Sequence, residues 1–126
     1  MDKIYLQMYS FGEFEPEKTK EHLKAAADMG FSGVELFGPD LATDAKTMKG
    51  WLADYGLEAI SLHTDTDKIV SLIPYARELG LKFAGIGMAY LPDEAAILSY
   101  ASRLNEIGRQ CRENGLTLTY HNHTQE

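Results

Sequence analysis

At 126 residues, 44% hydrophobic, 25% charged and 10% aromatic, the chain has the make-up of a globular domain, neither disordered nor disulfide-stapled. Its 12 Lys and Arg against 19 Asp and Glu leave a net charge of -7, which argues against a non-specific grip on nucleic acid or anionic membrane. The lone Cys111 cannot close an internal disulfide, no basic-then-apolar leader opens the chain, and no uncharged apolar run reaches the roughly 18 residues of a membrane span. One cytoplasmic domain over residues 1–126 is the expectation.

A strand-like run, Ile4 to Phe11, comes first. Pro16 suits the first turn of a helix whose Leu23, Ala26, Ala27 and Gly30 share one face. Gly33-Val34-Glu35-Leu36-Phe37 reads as the second strand, and Thr43 opens a helix with Met48, Trp51, Leu52 and Tyr55 on one side. Ala59 to His63 follows as a third strand, then a helix begun near Asp67 with the stripe Ile69, Leu72, Ile73, Ala76 and Leu79. Phe83 to Met88 is the fourth strand. Pro92-Asp93 begins a helix carrying Ile97, Ala101, Leu104, Gly108 and Cys111, and Leu116 to His123 is the fifth strand.

One pattern ends every helix: an acidic residue, any residue, Gly and a large apolar residue. It stands at Asp28-Met29-Gly30-Phe31, Asp54-Tyr55-Gly56-Leu57, Glu78-Leu79-Gly80-Leu81 and Glu113-Asn114-Gly115-Leu116. Glycine takes the left-handed conformation past a helix end at little cost, and the apolar residue packs back on the last turn. The order β-α-β-α-β-α-β-α-β predicts a parallel sheet with right-handed crossovers. Units of this length fit a partial (β/α)8 TIM barrel, strands one to five with four intervening helices; a flavodoxin-like five-stranded parallel sheet is the alternative. Either architecture reads as incomplete where the sequence stops at Glu126.

Parallel α/β folds keep their chemistry at the carboxyl ends of the strands. Those ends read Tyr9 and Ser10, Glu35, His63 with Asp65, Gly87 and Met88, and His121, Asn122 and His123. An ionised group in a strand must find a partner or stay wet. Glu35 is either a solvated lip residue or a functional carboxylate, and His63 either bonds Asp65 or a nearby carbonyl, or faces a ligand. His121 and His123 lie on one side of their strand by the period-two rule, where two imidazoles could bind a divalent metal, or metal and substrate. Leu116, Leu118 and Tyr120 then face the helices, with Thr117, Thr119, His121 and His123 toward the site. Trp51, Met29 and Met48 read as core, Cys111 as an inert buried thiol and His22 as a solvated helix residue. Gly85-x-Gly87 lies inside a strand and fails the dinucleotide fingerprint, whose glycines open a helix.

Taken together, Gly33-Val34-Glu35-Leu36, Ser61-Leu62-His63 and Tyr120-His121-Asn122-His123-Thr124-Gln125-Glu126 resemble the sugar phosphate isomerase/epimerase branch of the xylose isomerase-like TIM barrels. The resemblance covers strands one to five of that family's eight. It implies a metal-assisted isomerase or epimerase that moves a proton between adjacent carbons of a ketose-type sugar or sugar phosphate, with Mn, Mg or Zn stabilising the enediolate. By position it implies His121 and Glu126 as catalytic groups, His121 also as a metal ligand, and Tyr9, Phe11, Glu35, His63 and His123 as substrate contacts. Relatives carry Glu where His121 stands. The endonuclease branch of the superfamily places a further histidine after strand four, where this chain has Gly87-Met88; that and the acidic charge count against DNA repair.

The remaining metal ligands of the family come from later strands, so the expectation is an incomplete portion of an enzyme with little activity alone. Its open sheet edges invite a homodimer or a partner chain. A flavodoxin-like binding or signalling module, or a non-catalytic subunit completing a barrel, are the other readings.

Overall fold

The computed structural model describes residues 2–125. Strands and α-helices alternate as β1 (Tyr5–Gln7), α1 (Thr19–Asp28), β2 (Gly33–Phe37), α2 (Ala45–Tyr55), β3 (Glu58–Thr64), α3 (Ile73–Leu79), β4 (Phe83–Gly87), α4 (Glu94–Glu113) and β5 (Thr117–His121). The sheet runs β1-β2-β3-β4-β5 with every neighbouring pair parallel. A flavodoxin-like sheet reverses its strand order beside the first strand. Here the order never reverses, so the flavodoxin-like alternative is set aside and the arrangement is half of a TIM barrel.

The repeated Gly motif does what its chemistry predicts. Gly30, Gly56, Gly80 and Gly115 all have positive φ, between 66° and 89°. Behind each, the amide of Phe31, Leu57, Leu81 or Leu116 bonds back to the carbonyl of Ala26, Leu52, Ala76 or Cys111 at 2.9–3.1 Å. This is the six-to-one closure of a Schellman helix end. Helix starts shift slightly from the expected positions. Asp44 rather than Thr43 caps α2, accepting from the Thr47 amide at 2.9 Å, while Asp93 caps α4 through Ala96 at 2.8 Å. Tight 3-10 turns, Pro16–Lys18 and Val70–Leu72, precede α1 and α3. The first strand is shorter than the run Ile4 to Phe11: a 3-10 turn over Met8–Phe11 follows Gln7, buries Met8 and ends at Gly12, with φ 70°.

The core lies between sheet and helices. Leu23 and Ala26 of α1, Met48 and Leu52 of α2, Ile73 and Ala76 of α3, and Ile107 and Cys111 of α4 close on Val34, Leu36, Leu62, Ala84 and Ile86. Each large side chain so buried contributes about 1.5–3 kcal/mol relative to exposure. Burial raises the Cys111 thiol's pKa, in keeping with an inert thiol. Three expectations change. Met29 lies past the last turn of α1 and is 59% exposed. Ile97 is 50% exposed because α4, at 20 residues, outruns the five-residue strand it covers, and its first turns overhang. His22 is buried rather than solvated.

Candidate functional site

Leu118 and Tyr120 of β5 pack on the core, so the alternate side chains face away from the helices, as the parity argument requires. On that face the sheet stacks its side chains in two levels. In the lower, Gln7 Nε2 donates to Glu35 Oε1 at 2.6 Å and Ser61 Oγ donates to Glu35 Oε2. One carboxylate thereby ties β1, β2 and β3, and both of its oxygens are engaged. The upper level, nearer the carboxyl ends, holds His63 and His121 with ring centroids 5.4 Å apart, edge to face. His123 follows, 4.8 Å from His121.

Two glycines leave room for these rings. A Cβ on Gly87 would lie 2.6 Å from the His121 carbonyl oxygen and 3.3 Å from His63 Cε1. On Gly85 it would meet the Leu62 carbonyl and Thr119 Oγ1, each at 3.2 Å. Gly85-x-Gly87 therefore marks close approach of neighbouring strands rather than a phosphate loop.

Above the imidazoles opens a cleft of about 890 Å³, lined by Tyr9, Phe37, His63, Asp65, Lys68, His121 and His123 among others. That volume lies within the usual range of small-molecule sites, about 300–1,000 Å³. Tyr9 and Phe37 give one wall an aromatic lining, and Phe14 backs it without lining the cleft. Tyr9 stacks on Phe14 at 5.2 Å and meets Phe37 edge-on at 5.1 Å, with Phe14 and Phe37 5.7 Å apart. Lys68, at the rim, pairs with Asp65 at 3.0 Å. Burial pushes His63 below the ordinary histidine range; Glu35 opposes the shift, and His121 and His123 add to it. At neutral pH its imidazole is uncharged, one nitrogen donating and the other accepting.

The structure thus gathers Tyr9, His63, His121 and His123 around one cleft. Glu35 sits one level beneath it. Phe11 turns the other way, stacked on His22 with centroids 4.3 Å apart and the planes 4° from parallel, and does not line the cleft. Glu126 lies outside the described residues. Phe14, Phe37 and Lys68 were not singled out from the sequence. Phe37 shares Glu35's side of β2 by the period-two rule and was legible on that ground; Phe14 and Lys68 come from loops without a periodic signal. Among the described residues, no three His, Cys, Asp or Glu side chains converge as ligands for a metal ion. The three imidazoles pack against one another without forming such a shell, so these residues alone do not fit the metal that the resemblance implies.

No protein-family model matches the sequence, and no curated protein does. Solved structures do match. A sugar phosphate isomerase/epimerase from Parabacteroides distasonis superposes with a TM-score of 0.78 at 22% identity, over 97% of this chain and 51% of that one. This chain has the fold of half a TIM barrel, as in that structure. An L-ribulose 3-epimerase gives 0.73 at 18% identity, over 94% and 48%. A family 2 AP endonuclease from Brucella melitensis gives 0.75 at 15%, over 95% and 55%. The half-barrel chain spans about half the length of the structures it matches. Because one fold serves both sugar and nucleic-acid chemistry, the site must choose between them.

Proposed function

We propose that the cleft is one half of the site of a sugar isomerase or epimerase and receives a ketose-type sugar or sugar phosphate. The observation that supports this reading is the meeting of His63, His121 and His123 with the Tyr9 and Phe37 rings in one cleft, with Phe14 packed behind those two rings. Aromatic faces take up the C–H side of a sugar ring or chain, and imidazole nitrogens exchange hydrogen bonds with its hydroxyls and carbonyl. In the reaction, a base takes the proton from the carbon beside the carbonyl while the carbonyl oxygen gains negative charge. In isomerisation a proton is then delivered to the former carbonyl carbon while the hydroxyl of the first carbon passes its proton to the former carbonyl oxygen and becomes the new carbonyl; in epimerisation the base keeps the first proton and a second acid delivers another to the opposite face of the same carbon. His121 and Glu126 are our candidates for handling that proton. His63 and His123 are candidates for holding the oxygens, and Glu35 for fixing the strands beneath. A divalent metal would stabilise the enediolate as a Lewis acid, but the described residues do not complete its shell, and every step here is assigned to side chains alone.

DNA repair is the weaker reading. A net charge of -7 disfavours a phosphate backbone, and Lys68, at the cleft rim, is already paired with Asp65. Cytoplasmic residence belongs to the same proposal, as does a homodimer: β1 and β5 each pair on one side only, and a two-fold arrangement would cover both edges. Calorimetric titration with D-fructose, D-tagatose, D-psicose and a short DNA duplex tests the reading. Binding of at least one ketose and none of the duplex is expected; preference for the duplex would reverse the assignment.

A further inference from the structure

We propose that one face of α1, through His22 and Thr19, positions the aromatic wall of the cleft, so that His22 is a positioning residue for whatever stacks there. The consequence for ligand affinity rests on the sugar-site reading above; the positioning itself does not. His22 is remote from the cleft lining, yet its side chain is only 8% exposed and its Nε2 lies 2.9 Å from Glu13 Oε2. The same ring lies flat on Phe11. Phe11 and Glu13 flank Gly12, whose φ of 70° turns the chain between β1 and α1. Tyr9, a ring of the wall, and Phe14, the ring stacked behind it, sit on either side of this pinned segment. They are 54% and 46% exposed, so their own burial does not hold them.

The third ring hangs on the same helix face. Thr19 stands three residues before His22, one turn along. Its Oγ1 donates to Asp40 Oδ1 at 2.8 Å, while Asp40 Oδ2 accepts the Phe37 amide at 2.9 Å. Thr19, His22 and Asp40 are all buried. An apolar face would bury α1 without the desolvation cost of these polar groups. Both sets of bonds go instead to the segments that carry Tyr9, Phe14 and Phe37.

Two variants test this. Glu13→Ala removes the His22 bond from an exposed carboxylate without opening the core, and His22→Ala removes the bond and the stacking. The readouts are amide hydrogen exchange over residues 9–15, exchange over α4 as the control for intact fold, and the D-fructose dissociation constant. Glu13→Ala is expected to speed exchange over 9–15 about tenfold, the loss of one charge-assisted bond, and to weaken fructose binding several-fold while α4 is unchanged. Unchanged exchange over 9–15 in Glu13→Ala overturns the positioning role, even if His22→Ala fails to fold. Faster exchange in a protein that binds no ketose upholds the positioning and removes the sugar reading.

Discussion

Gly87 of β4 and His121 of β5 are paired across the sheet so closely that a Cβ on Gly87 would stand 2.6 Å from the His121 carbonyl oxygen. The same Cβ would press on His63 from the other side, at 3.3 Å. The distance between the two imidazoles at the cleft floor therefore depends on a missing side chain. Gly87→Ala should destabilise the protein by about 1–3 kcal/mol, the usual cost of overpacking, and should weaken ketose binding as the rings are displaced. Gly50→Ala is the control, since that glycine of α2 lies outside the cleft with open space around its Cβ position and no positive φ. Chemical denaturation and calorimetry of the two variants check this; equal behaviour would refute it.

His63 makes stability depend on pH in a stated direction. Its folded pKa is lowered, chiefly by burial, whereas the unfolded side chain titrates near about 6.5. As pH falls, the unfolded chain takes up this proton first. The His63 contribution is therefore constant above the unfolded value, is lost progressively as pH drops below it, and levels off under the folded value. Replacing His63 with Gln should reduce the drop in urea midpoint between about pH 7.5 and about pH 5.5. Titrating groups remote from the cleft act in both proteins and cancel in the comparison, while His121 and His123, which interact with His63, are followed in the same titrations.

Asp40 is buried and its pKa is raised by desolvation, offset in part by the Phe37 amide and by Thr19. Removing a partner from such a group exposes its desolvation cost. Thr19→Val should destabilise the fold by about 1–3 kcal/mol at neutral pH, more than the isosteric change in an apolar environment would. Since Asp40 is easier to protonate in the folded state, the loss should shrink at acidic pH, where a neutral carboxyl is cheaper to bury. Thermal melts at two pH values measure both effects.

Much of the fold was legible because each helix end was written in the same local code. An acidic residue, a left-handed glycine and a returning apolar side chain form a Schellman end within six residues, so Gly30, Gly56, Gly80 and Gly115 mark the units without tertiary information. The strand-end histidines were legible for a related reason: parity alone puts His121 on the face opposite Leu118 and Tyr120. What escaped was non-local. His22 sits among Lys20, Glu21 and Lys24, and that charged neighbourhood hides its burial, although Thr19 and Ala26 lie on the same buried face. The turn of Phe11 toward His22 follows from the 3-10 turn after Gln7, which no periodicity announces. The use of Gly85 and Gly87 depends on backbone carbonyls and side chains from β3 and β5 and has no local signature at all.

Metal binding gives a separate check. Because no three ligand-type side chains converge among the described residues, zinc or manganese titrated by calorimetry should find no tight site. Sub-micromolar zinc binding that disappears in His121→Ala would contradict this account of the donor set.

The most direct test follows the imidazole resonances of His63, His121 and His123 by NMR while a ketose such as D-fructose, D-tagatose or D-psicose is added. His63 and His121 are expected to shift together, saturating at the concentration that saturates calorimetric binding, with the Tyr9 ring protons moving alongside. Ketose binding that leaves all three imidazoles unmoved, or no response to any of the sugars, would contradict the assignment of this cleft to a sugar.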